Sequence, residues 1–135
     1  MTYEQITDTV RTRRTRLGMS QGALADYAEY SQASLSQFER GKKQIKFGSL
    51  IRLLDALGLK FKAGIYPVNT PEELYGIFGS TMLKLRWGNR QLADACGIPV
   101  QSVMYWSRYT MAGMEVRNVL TACRALGLET DITEA

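Results

Sequence analysis

Apolar positions in the first 57 residues recur at three- and four-residue intervals, the spacing that gathers side chains on one face of a helix. Ile6, Val10 and Leu17 predict a helix from Tyr3 to Leu17, and Leu24, Ala25 and Ala28 predict one from Gln21 to Ala28. Leu35 and Phe38 mark a third, from Gln32 to Arg40. Leu50, Ile51, Leu53, Leu54 and Leu57 mark a fourth, from Phe47 to Leu57. The punctuation agrees: Ser20 and Ser31 are good N-caps, and Gly18, Gly41 and Gly58 stand where helices end.

Beyond Gly58 the period changes. Phe61, Ala63 and Ile65 alternate with Lys60, Lys62 and Gly64 until Pro67 interrupts, which predicts one β-strand. A lone strand leaves its backbone groups unpaired, so it either joins the same strand of a second subunit around a two-fold axis or runs as an extended linker. "NTPEE" then opens a fresh helical unit, with Thr70 as N-cap, Pro71 at the first helical position and Glu73 completing a capping box. The expected divisions are therefore 1–59, a strand or linker over 60–69, and 70–135.

The second division repeats the first. At an offset of 68, Leu92, Ala93 and Asp94 fall on Leu24, Ala25 and Asp26, Gly97 on Glu29, Val103 on Leu35 and Trp106 on Phe38. At 69, "ALGL" from 125 falls on "ALGL" from 56. Agreement in two separate blocks points to an internal duplication. Trp87 and Trp106 fall at helix-packing positions and are expected in the core, while Glu129, Asp131 and Glu134 read as a short, frayed acidic tail.

Composition narrows the chemistry. The chain of 135 residues contains no histidine, which removes the commonest general base and metal ligand, and its carboxylates show no cluster suited to catalysis. Neither an enzyme nor a metal or cofactor site is expected. Cys96 and Cys123 lie far apart without metal-binding spacing and read as buried thiols. No apolar run approaches a membrane span and the N-terminus lacks a signal-peptide core, so a cytoplasmic protein with no membrane partner is expected. Residues 1–69 hold 11 Lys/Arg against 6 Asp/Glu, whereas residues 70–135 hold 6 against 7. Basic charge confined to one half points to a polyanion partner for that half.

Two short helices joined by a tight turn, with small Ala25 at their crossing and Leu24, Leu35 and Phe38 holding the angle, form a helix-turn-helix. The second helix then presents Gln32, Ala33, Ser36 and Gln37 to the major groove of double-stranded DNA. Glutamine matches adenine's donor and acceptor, and the Ala33 methyl suits a thymine methyl. Arg40, Lys42, Lys43 and Lys46 form a basic rim for phosphates, joined by the amide end of the helix at Gln21.

With "RR", "LGMSQ", "LA", "SQASLSQFERGK" and "LLDALGL" in place, residues 10–59 resemble the Cro/cI-type (XRE) helix-turn-helix family of bacterial and phage regulators. The resemblance implies that Gln21 contacts a phosphate and buttresses Gln32, that Gln32 and Gln37 read bases, and that Arg14 pairs with Glu39. The family usually has glycine where Glu29 stands. With the strand included, residues 1–68 are also similar to HipB-like antitoxins, which partner HipA-type kinase toxins and join subunits through such a strand.

In the second unit Val100, Gln101, Met104 and Tyr105 replace Gln32, Ala33, Ser36 and Gln37, and Asn89 replaces Gln21. Arg90 and Arg108 are candidate phosphate contacts there, with Gln101, Ser102 and Tyr105 near bases. Alternatively Val100, Met104, Tyr105 and Tyr109 form an apolar face for a protein partner. The expected molecule is all-α: two tandem, lambda-repressor-like helix-turn-helix units with one short β-strand between them. It would act as a homodimeric repressor on an inverted-repeat operator, its first-unit recognition helices about 34 Å apart. The alternative is an antitoxin or anti-regulator whose second unit grips a toxin or another regulator.

Overall fold

The computed structural model describes the backbone of residues 1–108 and 111–135, and the side chains of all of these except Ser107 and Arg108. Its elements are α1 (Tyr3–Arg16), α2 (Gln21–Tyr27), α3 (Gln32–Glu39), α4 (Phe47–Ala56), β1 (Leu59–Ala63), β2 (Tyr66–Val68), α5 (Pro71–Leu85), α6 (Asn89–Cys96), α7 (Val100–Arg108), a 3-10 turn (Met111–Gly113), α8 (Val116–Ala125) and β3 (Thr130–Glu134). The helices of the first half start and stop within two residues of the expected places. Ser20 and Ser31 cap α2 and α3, their hydroxyls accepting the amides of Ala23 at 3.0 Å and Ser34 at 3.2 Å. At α5 the Thr70 hydroxyl accepts the Glu73 amide, but the Glu73 carboxylate reaches one residue further back than a capping box, to the amide of Asn69 at 2.8 Å.

The duplication is written in the backbone. Among the described residues six of the eight left-handed ones fall in matched pairs: Gly18 with Arg86, Glu29 with Gly97, Gly58 with Gly127. The turn between α2 and α3 closes with Tyr30 N–H donating to the Ala25 carbonyl at 2.8 Å, and its counterpart with Ile98 N–H donating to Ala93 at 3.1 Å. Buried Leu24, Ala25, Leu35 and Phe38 are matched by buried Leu92, Ala93, Val103 and Trp106. Trp87 is half-buried and packs against the same core.

The strand region departs from the expectation in two ways. β1 is not alone: it is the centre of a three-stranded antiparallel sheet of order β2-β1-β3, so both of its edges are used within the chain. The acidic end is not frayed, because residues Thr130–Glu134 form β3 along the free edge of β1. The backbone groups of β1 needed a two-fold partner, and the chain's second half supplies it. A homodimer therefore cannot form through a free β1, which is the middle of the sheet.

The two halves are related by a two-fold axis that can be read from the register. At the offset of 69, Lys62 faces its own counterpart Asp131, while the pairs Phe61 with Ile132 and Ala63 with Thr130 are reciprocal. The same holds at a bridge between Lys46 and Glu115, where Phe47 N–H donates to Met114 at 2.7 Å and Val116 N–H donates to Ile45 at 2.9 Å. Reciprocal contacts between equivalent residues are the signature of a two-fold dimer interface; here they are made inside one chain. One core runs across the axis and includes Ile45, Phe47, Leu50, Phe61, Met114, Val116 and Val119. Phe47 and Phe61 meet edge to face at 5.2 Å, tying α4 to β1. Among the described residues no helix is long and apolar enough to cross a membrane.

Candidate nucleic-acid interface

α3 is held from behind. Leu35 and Phe38 are buried against α1 and α2, and the Phe38 ring meets Tyr3 edge-on at 6.0 Å. The Tyr3 hydroxyl donates to the Lys43 carbonyl at 2.7 Å, which pins the loop after α3 to α1. Behind the C-terminal end of α3 sits Glu39, only 3% exposed. Arg14 grips it with a two-pronged fork, Nε to Oε2 at 2.7 Å and Nη2 to Oε1 at 2.8 Å, while Arg14 Nη1 donates to the Met19 carbonyl at 2.8 Å. Hydrogen bonding to Glu39 holds the Arg14 guanidinium above its ordinary pKa despite partial burial. Arg11 adds a bond from Nη1 to the Glu39 carbonyl at 3.2 Å. A planar fork on a buried carboxylate fixes direction as well as distance, so these bonds set the angle between α1 and α3.

Gln21 belongs to this network rather than to a buttress for Gln32, since its Nε2 donates to Glu39 Oε1 at 3.0 Å. The carboxylate has lone pairs to fill and lies within reach of the start of α2; Gln32 instead lies over Gly22, with Oε1 3.2 Å from where a Cβ on Gly22 would stand. A Cβ at 22 would press on the tip of that side chain, which would have to shift by a few tenths of an ångström. The outer face of α3 shows Gln32, Ala33 and Gln37 exposed and Ser36 half-buried. Around it Arg40, Lys42, Lys43 and Lys46 are exposed; Arg40 Nε donates to the Ser36 carbonyl at 3.3 Å and Lys43 Nζ to Ser34 Oγ at 2.8 Å. Glu29 takes the left-handed conformation at φ 53°, so α3 leaves the turn as it would after glycine, at the cost of backbone strain.

The second unit keeps this frame and changes its contents. Met82, Asn89 and Ser107 take the places of Arg14, Gln21 and Glu39, so the buried ion pair has no counterpart. What remains beside α5 is a groove of about 470 Å³ lined by Gly79, Met82, Asn89, Leu92 and Trp106 among others. On α7, Gln101, Met104 and Tyr105 are exposed, Val100 and Ser102 half-buried; Arg90 of α6 is exposed. The candidate side chain of Arg108 lies outside the described ones, as does Tyr109 altogether.

Residues 10–62 match the family model described as Helix-turn-helix. No curated protein and no solved structure matches the chain. Residues 10–62 form a Cro/cI-type helix-turn-helix domain. Within that match α2 and α3 are the paired helices. Sequence reasoning missed two residues that hold the helix-turn-helix. Tyr3 was passed over because its partner is a loop carbonyl 40 residues away, and Ser34, which steadies Lys43, carries no signal beyond being a polar residue on a helix.

Proposed function

We propose that the protein is a cytoplasmic transcriptional repressor that reads a specific operator through α3 and occludes a promoter, its own among them. The observation that carries this reading is the contrast between the two sides of α3: a fully bonded ionic anchor behind it, and Gln32, Ala33 and Gln37 exposed in front, rimmed by four cations. Rigid support behind and unfilled donors and acceptors in front is what direct readout of base edges needs. Gln32 and Gln37 contact adenines, Ala33 a thymine methyl and Ser36 a neighbouring base or phosphate. Arg40, Lys42, Lys43 and Lys46 hold phosphates. No catalytic step and no cofactor enters this function.

Fluorescence anisotropy with a labelled duplex carrying the upstream region of the gene tests it. Affinity should fall steeply with salt, four phosphate contacts giving a log–log slope of about −3.6. Gln32→Ala should weaken the specific duplex about tenfold or more and leave unrelated DNA unchanged. A slope near zero, or equal loss on all sequences, would contradict the reading.

A second reading has its own observation. The groove beside α5 is flanked by exposed Tyr75 and Leu83, an apolar surface suited to a protein partner such as a toxin, with DNA binding then serving autoregulation.

A further inference from the structure

The two-fold axis relates α3 to α7 as it would relate the recognition helices of a dimer. We propose that one chain is the complete operator-binding unit, with α7 and Arg90 reading a second half-site whose sequence differs from the one under α3. This rests on the reading of α3 above and extends it.

Three observations carry it. First, the contacts that a subunit of such a dimer would offer a second copy are already made inside the chain, at β1 with β3 and at Lys46 with Glu115. β1 has no edge left for an added copy to join. The two candidate reading helices are therefore set by the fold, and one chain presents both.

Second, the net charge of the second half misleads about this face. Of its seven acids, Glu72 and Glu73 lie in the first turn of α5 and Glu129, Asp131 and Glu134 at or in β3, while Glu115 stands where the first unit has Lys46 and shares a groove with Gln101, Ser102 and Tyr105. Between Lys84 and Arg108 there are four cations, Lys84, Arg86, Arg90 and Arg108, against one acid, Asp94. Along this stretch the balance is basic although the half as a whole is not, which suits a phosphate backbone better than the net charge suggests.

Third, the reading chemistry has moved from one helix to the other. In the first unit the space above Gly22 is filled by the Gln32 side chain. At the equivalent places the second unit has Arg90 and Val100, so the long polar side chain now rises from α6 and the short apolar one from α7. Arg90 is exposed. It is placed to occupy the region that Gln32 occupies, where its guanidinium suits guanine O6 and N7, while Val100 and Met104 suit thymine methyls. The operator would then be two unlike half-sites about one helical turn apart, adenine-containing under α3 and guanine-containing under Arg90.

The test uses the full chain and a 30-base-pair duplex enriched by it from a random-sequence pool. Expected are one chain per duplex in native mass spectrometry and a hydroxyl-radical footprint of two patches on one face of the DNA. Arg90→Ala should weaken binding about tenfold and erase the preference in one half only, and Arg90→Lys should not restore it, because a point charge lacks the fork. Two chains per duplex on a palindromic motif would overturn the inference while leaving the reading of α3 intact. So would a single patch insensitive to Arg90→Ala, which would leave the α7 face to a protein partner. No enriched sequence at all would overturn both.

Discussion

The two halves share a backbone and differ in what they bury. The first anchors α3 with Arg14, Glu39 and Gln21, fills its core with Phe47, Leu53 and Leu54, and surrounds the outer face of α3 with cations. The second puts Val116, Ala122 and Cys123 in those core places, lacks the ionic anchor, and carries a groove where the anchor would be. Fold and readout are thus separable: buried spacing reproduces the helix-turn-helix frame, and only a handful of outward residues decide what the frame touches.

The largest effect should come from separating the halves. Truncation after Leu128 removes β3 and leaves β1 with an open edge. Five paired residues at about 1 kcal/mol per hydrogen bond suggest a loss near 5 kcal/mol, visible as a collapse of the urea midpoint. If the midpoint is unchanged, β3 is not part of the fold's cooperative unit.

Making the first half resemble the second comes next. Arg14→Met copies Met82 and strands Glu39 in the interior, which should cost about 3–5 kcal/mol. Adding Glu39→Ser, the residue found at 107, should recover part of that loss. Additive losses in the double variant would mean that the pair is not coupled.

A smaller contrast concerns Cys123, which stands where the first half has Leu54. Burial pushes its thiol up to about 12 from an ordinary value of 9. A folded-state value above the unfolded one gives stability that is whole below pH 9 and lost as pH rises toward 12. Cys123→Ala should flatten the decline of melting temperature across that window. An equal slope in both proteins would place the thiol in contact with water.

The smallest effect is at the turns. Glu29 and Gly97 share one left-handed conformation, so Glu29→Gly should stabilise and Gly97→Glu destabilise, each by about 1 kcal/mol in thermal unfolding. Matching signs would show that the two turns are not equivalent.

Much of this was legible in the sequence because helices announce themselves. The caps at Ser20 and Ser31, the apolar spacing of α4 and the echo of Leu92, Ala93 and Trp106 all act through neighbours three or four residues away, or through burial that only apolar residues tolerate. β3 was not legible for the opposite reason. "TDITE" has one aliphatic side chain among four polar ones, two of them acidic, too little apolar alternation to predict a strand; it is a strand because β1 offers it an edge 69 residues away. The repeat held the clue, since "ALGL" precedes β1 and precedes β3 alike. A strand such as β1 needs partners for its backbone groups, and here they come from the same chain rather than from a second subunit. At the site, Gln21 illustrates a similar limit: which of Glu39 and Gln32 its amide meets depends on a few ångströms of helix placement that spacing does not carry.

Binding-site selection from a random duplex pool, run in parallel with the full chain and with Gln37→Ala, tests the central claim most directly. The account predicts one motif for the full chain and, for Gln37→Ala, the same motif with the preference lost at one or two adjacent positions and an unchanged melting temperature. The same motif enriched at full strength by both proteins would contradict base reading by α3.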